Sequence, residues 1–223
     1  MPILEPQRPS PALALLAAPL LLWPCLLNLH PYLFWDSYGY FLQGKAYLAV
    51  LAGVAPCAAA ELRVAFVVSD GFNMIDLAGP WEVFQDTHLP GGDGHMRMPD
   101  LYTVSTGAAA VRSTGGMLVT PAFTLDAAPA PDIVVIGAQG DDSPALLRWL
   151  AAQRARGATV MSVCTGARKL ALSGLLDGKR ATTHHDFLAA FAAQFPRVDW
   201  VADRRFVRAD DGLYTAGGLT SGI

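Results

Sequence analysis

Residues 61–223 predict an α/β fold, a three-layer α/β/α sandwich around a mostly parallel sheet. Three observations carry this expectation. Short, nearly continuous apolar runs recur, as expected of strands buried on both faces. Helical stretches alternate with them. Glycine punctuates the junctions, at Gly71, Gly157 and Gly174 among others.

The elements follow in chain order. Residues 62–69 (LRVAFVVS) predict a central strand, ended by Asp70-Gly71. Residues 77–83 begin a helix, with Asp76 as a candidate N-cap and Pro80 in its first turn. Residues 101–105 (LYTVS) predict a second strand. Residues 111–119 carry Gly115-Gly116 between β-like flanks and predict a hairpin excursion. Residues 132–136 (DIVVI) are a further buried strand, followed by Gly137-Ala138-Gln139-Gly140. Residues 143–156 have helical periodicity, and Gly157 stops them. Residues 159–163 (TVMSV) are a strand, residues 165–173 a helix, and residues 184–195 an amphipathic stretch. Ligands of such sheets bind at the carboxyl ends of the strands. Four loops are thereby singled out: 69–76, 136–141, 163–166 and 181–185.

Composition narrows the function. The chain has 223 residues, is 52% apolar and 16% charged, and carries a net charge of −3. That much apolar content excludes wholesale disorder, and the absence of a basic excess argues against nucleic acid as a partner. Three cysteines make no disulfide framework, and no CxxC or HExxH spacing occurs.

The charge is unevenly spread. Residues 1–60 contain four charged residues, Glu5, Arg8, Asp36 and Lys45, which leaves 31 of the 35 for residues 61–223. This front segment holds two apolar stretches, residues 11–27 and 46–60. The first is near the lower limit for a membrane-spanning helix and is interrupted by Pro19 and Pro24. The second has the order of a secretory signal: Lys45, an apolar region, then Ala58-Ala59-Ala60 before Glu61. Export or membrane attachment through residues 11–60 is the expectation. The alternatives are a buried helical hairpin, or a misassigned start that would leave the protein cytoplasmic. Cys57 follows Pro56, which is not the small residue a lipidation site needs.

Cys164 is the residue of most chemical interest. Val163-Cys164-Thr165-Gly166 joins a buried strand directly to a helix, the setting of a nucleophile elbow with cysteine in place of serine. The helix N-terminus is expected to lower the thiol's pKa. The plainer reading is a small buried core thiol. Cleavage after Ala60 would leave Cys164 as the only thiol. Asp70 reads as turn punctuation and Glu82 as a solvated helix residue.

Residues 62–223 resemble the DJ-1/PfpI (ThiJ/PfpI) superfamily, related to class I glutamine-amidotransferase domains. The likeness rests on Asp70-Gly71-Phe72 with residues 76–84 (DLAGPWEVF), on residues 162–167 (SVCTGA) with 174–184 (GLLDGKRATTH), and on residues 215–223 (TAGGLTSGI). Within it, Thr165 after the cysteine and the Asp-Leu-x-Gly-Pro run at Asp76 resemble isonitrile hydratase and the amidase-like domains of AraC-type regulators. The resemblance implies a flavodoxin-like sandwich and a homodimer. It implies an active centre of Cys164, Asp76 and Thr165 acting on a small molecule, with no cofactor. It also implies that the domain stops before its last helix, because relatives continue past Ser-Gly-Ile.

The remaining site candidates are weighed against that likeness. Relatives commonly carry Pro-Gly-Gly in the loop after residue 136, where the backbone helps form an anion-binding hole. Gly137 and Ala138 would do so here, with the Gln139 amide on the substrate. Alanine is less at ease than glycine if that loop needs a left-handed residue. His184 is expected at the pocket mouth. A metal reading of His184-His185 is set aside, since adjacent residues at a helix start diverge and no third ligand is evident. Two function classes stay open: a cysteine-dependent hydratase, and a ligand-binding or redox-sensing domain, including a regulator's sensor domain.

Overall fold

The computed structural model describes residues 62–90 and 95–218. The expectations for residues 1–60, including Cys25, Cys57 and both apolar stretches, lie outside the described residues. So does the motif end at 219–223. Among the described residues no helix is long and apolar enough to cross a membrane.

Seven strands form the main sheet: β1 (Arg63–Val67), β2 (Asp100–Ser105), β3 (Phe123–Thr124), β4 (Ile133–Ile136), β5 (Thr159–Val163), β6 (Phe206–Asp210) and β7 (Leu213–Ala216). Their spatial order is β6-β7-β5-β4-β1-β2-β3. Every neighbouring pair is parallel except the β6–β7 hairpin. Four helices of the domain bear on the argument: α1 (Met74–Gln85), α2 (Pro144–Ala155), α3 (Ala167–Leu172) and α4 (Leu188–Gln194).

The apolar runs are unbroken because β1 is covered on both sides. Successive side chains of a strand point to opposite faces. Val64 and Phe66 pack with Val135, Val163 and the α1 residues Leu77, Trp81 and Phe84. Ala65 and Val67 pack on the other face with Leu146 and Leu150 of α2 and Leu170 of α3. Two layers of helix around one sheet follow directly, and the predicted sandwich is the observed fold.

Several local expectations change. Helix α1 starts at Met74, not at residue 77, because Asn73 is its cap: the Asn73 side chain accepts a hydrogen bond from Ile75 N at 3.1 Å. Asp76 therefore lies inside the first turn and is no cap. Pro80 sits in the helix interior rather than its first turn. The predicted hairpin within residues 111–119 is present as Val111–Arg112 against Leu118–Val119. Asp70 does more than mark a turn, since its Oδ1 accepts from Arg112 N at 2.8 Å and ties that hairpin to the end of β1. The helix expected at 165–173 divides into a 3-10 turn, Cys164–Gly166, and the short α3. The stretch at 184–195 likewise divides into a 3-10 turn, His185–Phe187, and α4.

Candidate active site

The carboxyl ends of β1, β4 and β5 converge where the sequence places Asp76, residues 137–140 and Cys164. Cys164 follows β5 with φ of +57°, a left-handed conformation that non-glycine residues seldom adopt. Such a strained turn between strand and helix marks the elbow geometry. The backbone approaches it closely. A Cβ built on Gly218 would lie 2.8 Å from Cys164 Cβ and 2.9 Å from its Sγ. Thr183 Oγ1 donates to the Cys164 carbonyl at 2.9 Å. Thr183 was absent from the sequence candidates, although it falls in the Thr-Thr-His run that carries the resemblance.

Asp76 is buried, with 1% of its surface exposed. Its Oδ2 accepts from Ala138 N at 3.0 Å, and Asn73 N donates to Ala138 O at 3.0 Å. One peptide segment thus clamps the first turn of α1 through both its polar groups. Gly137 allows the approach, because a Cβ there would stand 2.6 Å from Asp76 Cβ. The Ala138 N–H is consequently engaged by Asp76 rather than left for substrate, which corrects its assignment to an anion hole. The concern over alanine also falls away. Cys164 and Asp203 are the non-glycine residues with positive φ among those described, so Ala138 and Gln139 bear no left-handed strain.

The other Asp76 oxygen, Oδ1, is buried without a partner at hydrogen-bonding geometry. The Cys164 thiol lies close enough to the Asp76 carboxyl for each group to bear on the other's proton affinity. Burial raises Asp76 above its ordinary 3.8. The Ala138 N–H, Cys164 and the charge of His184 pull the other way without cancelling it. Burial also pushes the Cys164 thiol from 9.0 up to about 11, and the Asp76 charge adds to the rise. The Thr165 backbone and side chain act in the opposite sense. The expectation of a thiol acidified by its helix is overturned. The helix is short, while burial and a carboxylate neighbour dominate.

Gln139 is 8% exposed, and neither its Oε1 nor its Nε2 has a partner. It lines a cavity of about 430 Å³ with Thr165, Lys169, Phe187 and Phe191. That volume falls in the range of small-ligand sites. The cavity opens beside the elbow, and its lining does not include Cys164, Asp76 or His184. An unpartnered buried amide costs about 1–3 kcal/mol. Gln139→Met is therefore expected to leave Tm unchanged or to raise it. A clear fall in a thermal melt would mean that the amide is hydrogen-bonded in solution.

His184 is half-buried at the start of its turn, and its Nδ1 accepts from Asp186 N at 3.3 Å. Contrary to expectation the two histidine rings do not diverge. They stack, with centroids 4.4 Å apart and planes at 24°. Asp186 supplies a third donor beside the pair, 3.2 Å from His185 Nε2, although His185 and Asp186 are both largely exposed.

The DJ-1/PfpI family model matches residues 62–223. The chain belongs to the DJ-1/PfpI family. Isonitrile hydratase of Pseudomonas putida is 34% identical over 170 residues, covering 73% of this chain and 68% of that protein. The HTH-type transcriptional regulator GbdR of Pseudomonas aeruginosa is 31% identical over 173 residues, and the match spans 76% of this chain but 46% of the regulator. A solved ThiJ/PfpI family protein from Pseudomonas syringae superposes with a TM-score of 0.60 at 26% identity, covering 74% of this chain and 66% of that one. The relatives similar to this chain thus include both an enzyme and a transcriptional regulator.

Proposed function

We propose that the protein is a cysteine-dependent hydratase that converts isonitriles to N-substituted formamides. The observation that carries this reading is the buried Asp76 carboxyl, held by Ala138 N–H at one oxygen and unpartnered at the other, in interaction with a thiol of raised pKa. A thiol near 11 is almost wholly protonated at neutral pH, so it needs a base at hand. Asp76, with its own proton affinity raised, is placed to be that base. The similarity to the Pseudomonas putida hydratase supports the choice of substrate.

Asp76 takes the Cys164 proton as sulfur bonds to the terminal isonitrile carbon. The same proton passes to that carbon, giving a thioimidate, R–N=CH–S–Cys164. Water then adds to the C=N carbon. Asp76 receives the water proton and returns it to nitrogen. The C–S bond breaks, and R–NH–CHO leaves with the thiol restored. The Thr165 hydroxyl and N–H stabilise sulfur while it carries charge.

Formamide production from a small alkyl isonitrile, followed by mass spectrometry on the full chain, tests this. Turnover is expected in the wild type and is expected to vanish in Cys164→Ala. A folded wild type without turnover on alkyl and aryl isonitriles would sink the assignment. A second reading, a ligand-sensing domain, is favoured by the likeness to GbdR. It requires binding at the same site with no dependence on Asp76 proton transfer.

A further inference from the structure

The loop that holds Asp76 is itself held, and by a residue of the elbow helix. Lys169 lies five positions after Cys164 on α3 and is 4% exposed. Its Nζ donates to Gln139 O at 2.8 Å and pairs with Asp142 Oδ1 at 2.6 Å. Arg168 pairs with Asp142 as well. The Gln139 carbonyl is one residue from the Ala138 N–H that binds Asp76 Oδ2. The loop contains no left-handed residue to lock its shape. Gly140 N on Asp70 O (2.9 Å) and Asp141 N on Ser69 Oγ (3.1 Å) tether its far end to the end of β1. From the elbow side Lys169 and Arg168 both hold Asp142, and Lys169, the buried one of the two, also holds the Gln139 carbonyl.

We propose that Lys169 is a positioning residue: it fixes the 137–142 loop to the elbow helix, keeps the Ala138 N–H on Asp76, and so sets how readily Asp76 takes the Cys164 proton. Its two anchors share the work. A buried ammonium needs a counter-charge and full hydrogen bonding; Asp142 gives the charge and Gln139 O the directed acceptor. Burial raises the Asp142 pKa, but Lys169 and Arg168 outweigh it, so Asp142 stays ionised. Besides Ala138, the groups that bear on Asp76 are Cys164, through its thiol, and His184, through its charge, and Lys169 touches neither in the bonds above. Its influence therefore runs through the loop.

The sign of the effect is fixed. The Ala138 N–H favours the charged form of Asp76. Releasing the loop weakens that bond, and Asp76 holds its proton to higher pH. The proposal does not depend on which substrate is turned over, so its test uses iodoacetamide as the probe. The alkylation rate of the Cys164 peptide is followed by mass spectrometry from pH 4 to pH 10 in the full chain. The acid limb of that profile reports Asp76 accepting the thiol proton, and Asp76→Asn identifies it by removing it. Lys169→Met is expected to move the limb to higher pH by roughly half a unit or more. Lys169→Gln keeps a polar group in the site, yet its amide nitrogen falls one bond short of Gln139 O. It is expected to move the limb in the same direction, and it serves if the methionine variant does not fold. An unmoved limb in either folded variant overturns the proposal, whatever happens to Tm. Loss of isonitrile turnover with an unmoved limb would likewise count against it.

Discussion

Asp76→Asn is expected to abolish formamide formation while making Cys164 more acidic. The two results look contradictory and share one cause. Asparagine can still accept the Ala138 N–H through its oxygen, so the loop contact at 3.0 Å is retained. Its NH₂ then takes the place of Oδ1, which has no partner, within reach of the thiol that the carboxyl acts on. The negative charge that raises the Cys164 pKa is gone, and a donor that favours thiolate takes its place. The thiol midpoint should fall from about 11, measured by the ultraviolet absorbance of the thiolate or by alkylation against pH. Turnover should nevertheless drop by about 10³-fold or more, because no group remains to carry protons to carbon and from water. Retained turnover with a lowered thiol pKa would mean that Asp76 is a structural residue and that thiolate supply alone limits the reaction.

The same substitution should stabilise the fold near neutral pH. The folded-state pKa of Asp76 lies above its ordinary 3.8, so folding favours the protonated form. In that window the native state binds more protons than the unfolded state, and stability falls as pH rises through it. The cost is fully present once pH exceeds the raised value. Asparagine never charges and escapes this cost. The gain in Tm for Asp76→Asn over wild type should therefore be larger at pH 7 than at pH 4. A carboxylate that destabilises its own fold is what a functional, rather than structural, role predicts.

The strands of the sheet centre were legible because both their faces are buried. Val64 to Val67 and Val134 to Ile136 are buried throughout, and a run without polar interruption is the direct image of that burial. The β6–β7 hairpin is not legible in the sequence, for the complementary reason. Along Phe206–Asp210 burial alternates between exposed and intermediate, and the strand offers no apolar run. Asp211-Gly212 at its turn was the available sign, with Gly212 at φ of +71°. The start of α1 is hard to read from sequence, because its cap, Asn73, precedes Met74 and Ile75, while the helical pattern becomes clear only from Leu77. At the site, the elbow and its three residues were visible as motif and resemblance. The sense of the Cys164 shift was not. A helix N-terminus can be read from local sequence, whereas burial and the nearness of a carboxylate 88 positions away arise from the fold.

Gly166→Ala is expected to be the most damaging single methyl addition at the elbow. Its φ of −54° is available to any residue, so the glycine is not there for backbone freedom. It is there for space. A Cβ would lie 2.2 Å from the carbonyl oxygen of Ile136 and 2.9 Å from that of Gly137. Neither obstacle is the end of a flexible side chain that could swing aside. Ile136 is fully buried and lies in β4, which pairs with β1 on one side and β5 on the other. The elbow turn must instead move away from the sheet, carrying Cys164 and Thr165 with it. Overpacking costs typically 1–3 kcal/mol, and backbone obstacles belong at the upper end. For a domain of this size that corresponds to a fall in Tm of about 10 °C. The displacement should also separate the thiol from Asp76, so the acid limb of Cys164 alkylation should flatten in whatever fraction stays folded. A variant that melts within about 2 °C of wild type would show that the elbow is not seated against β4 in solution. The close approach that orients Asp76 and Cys164 would then need another explanation.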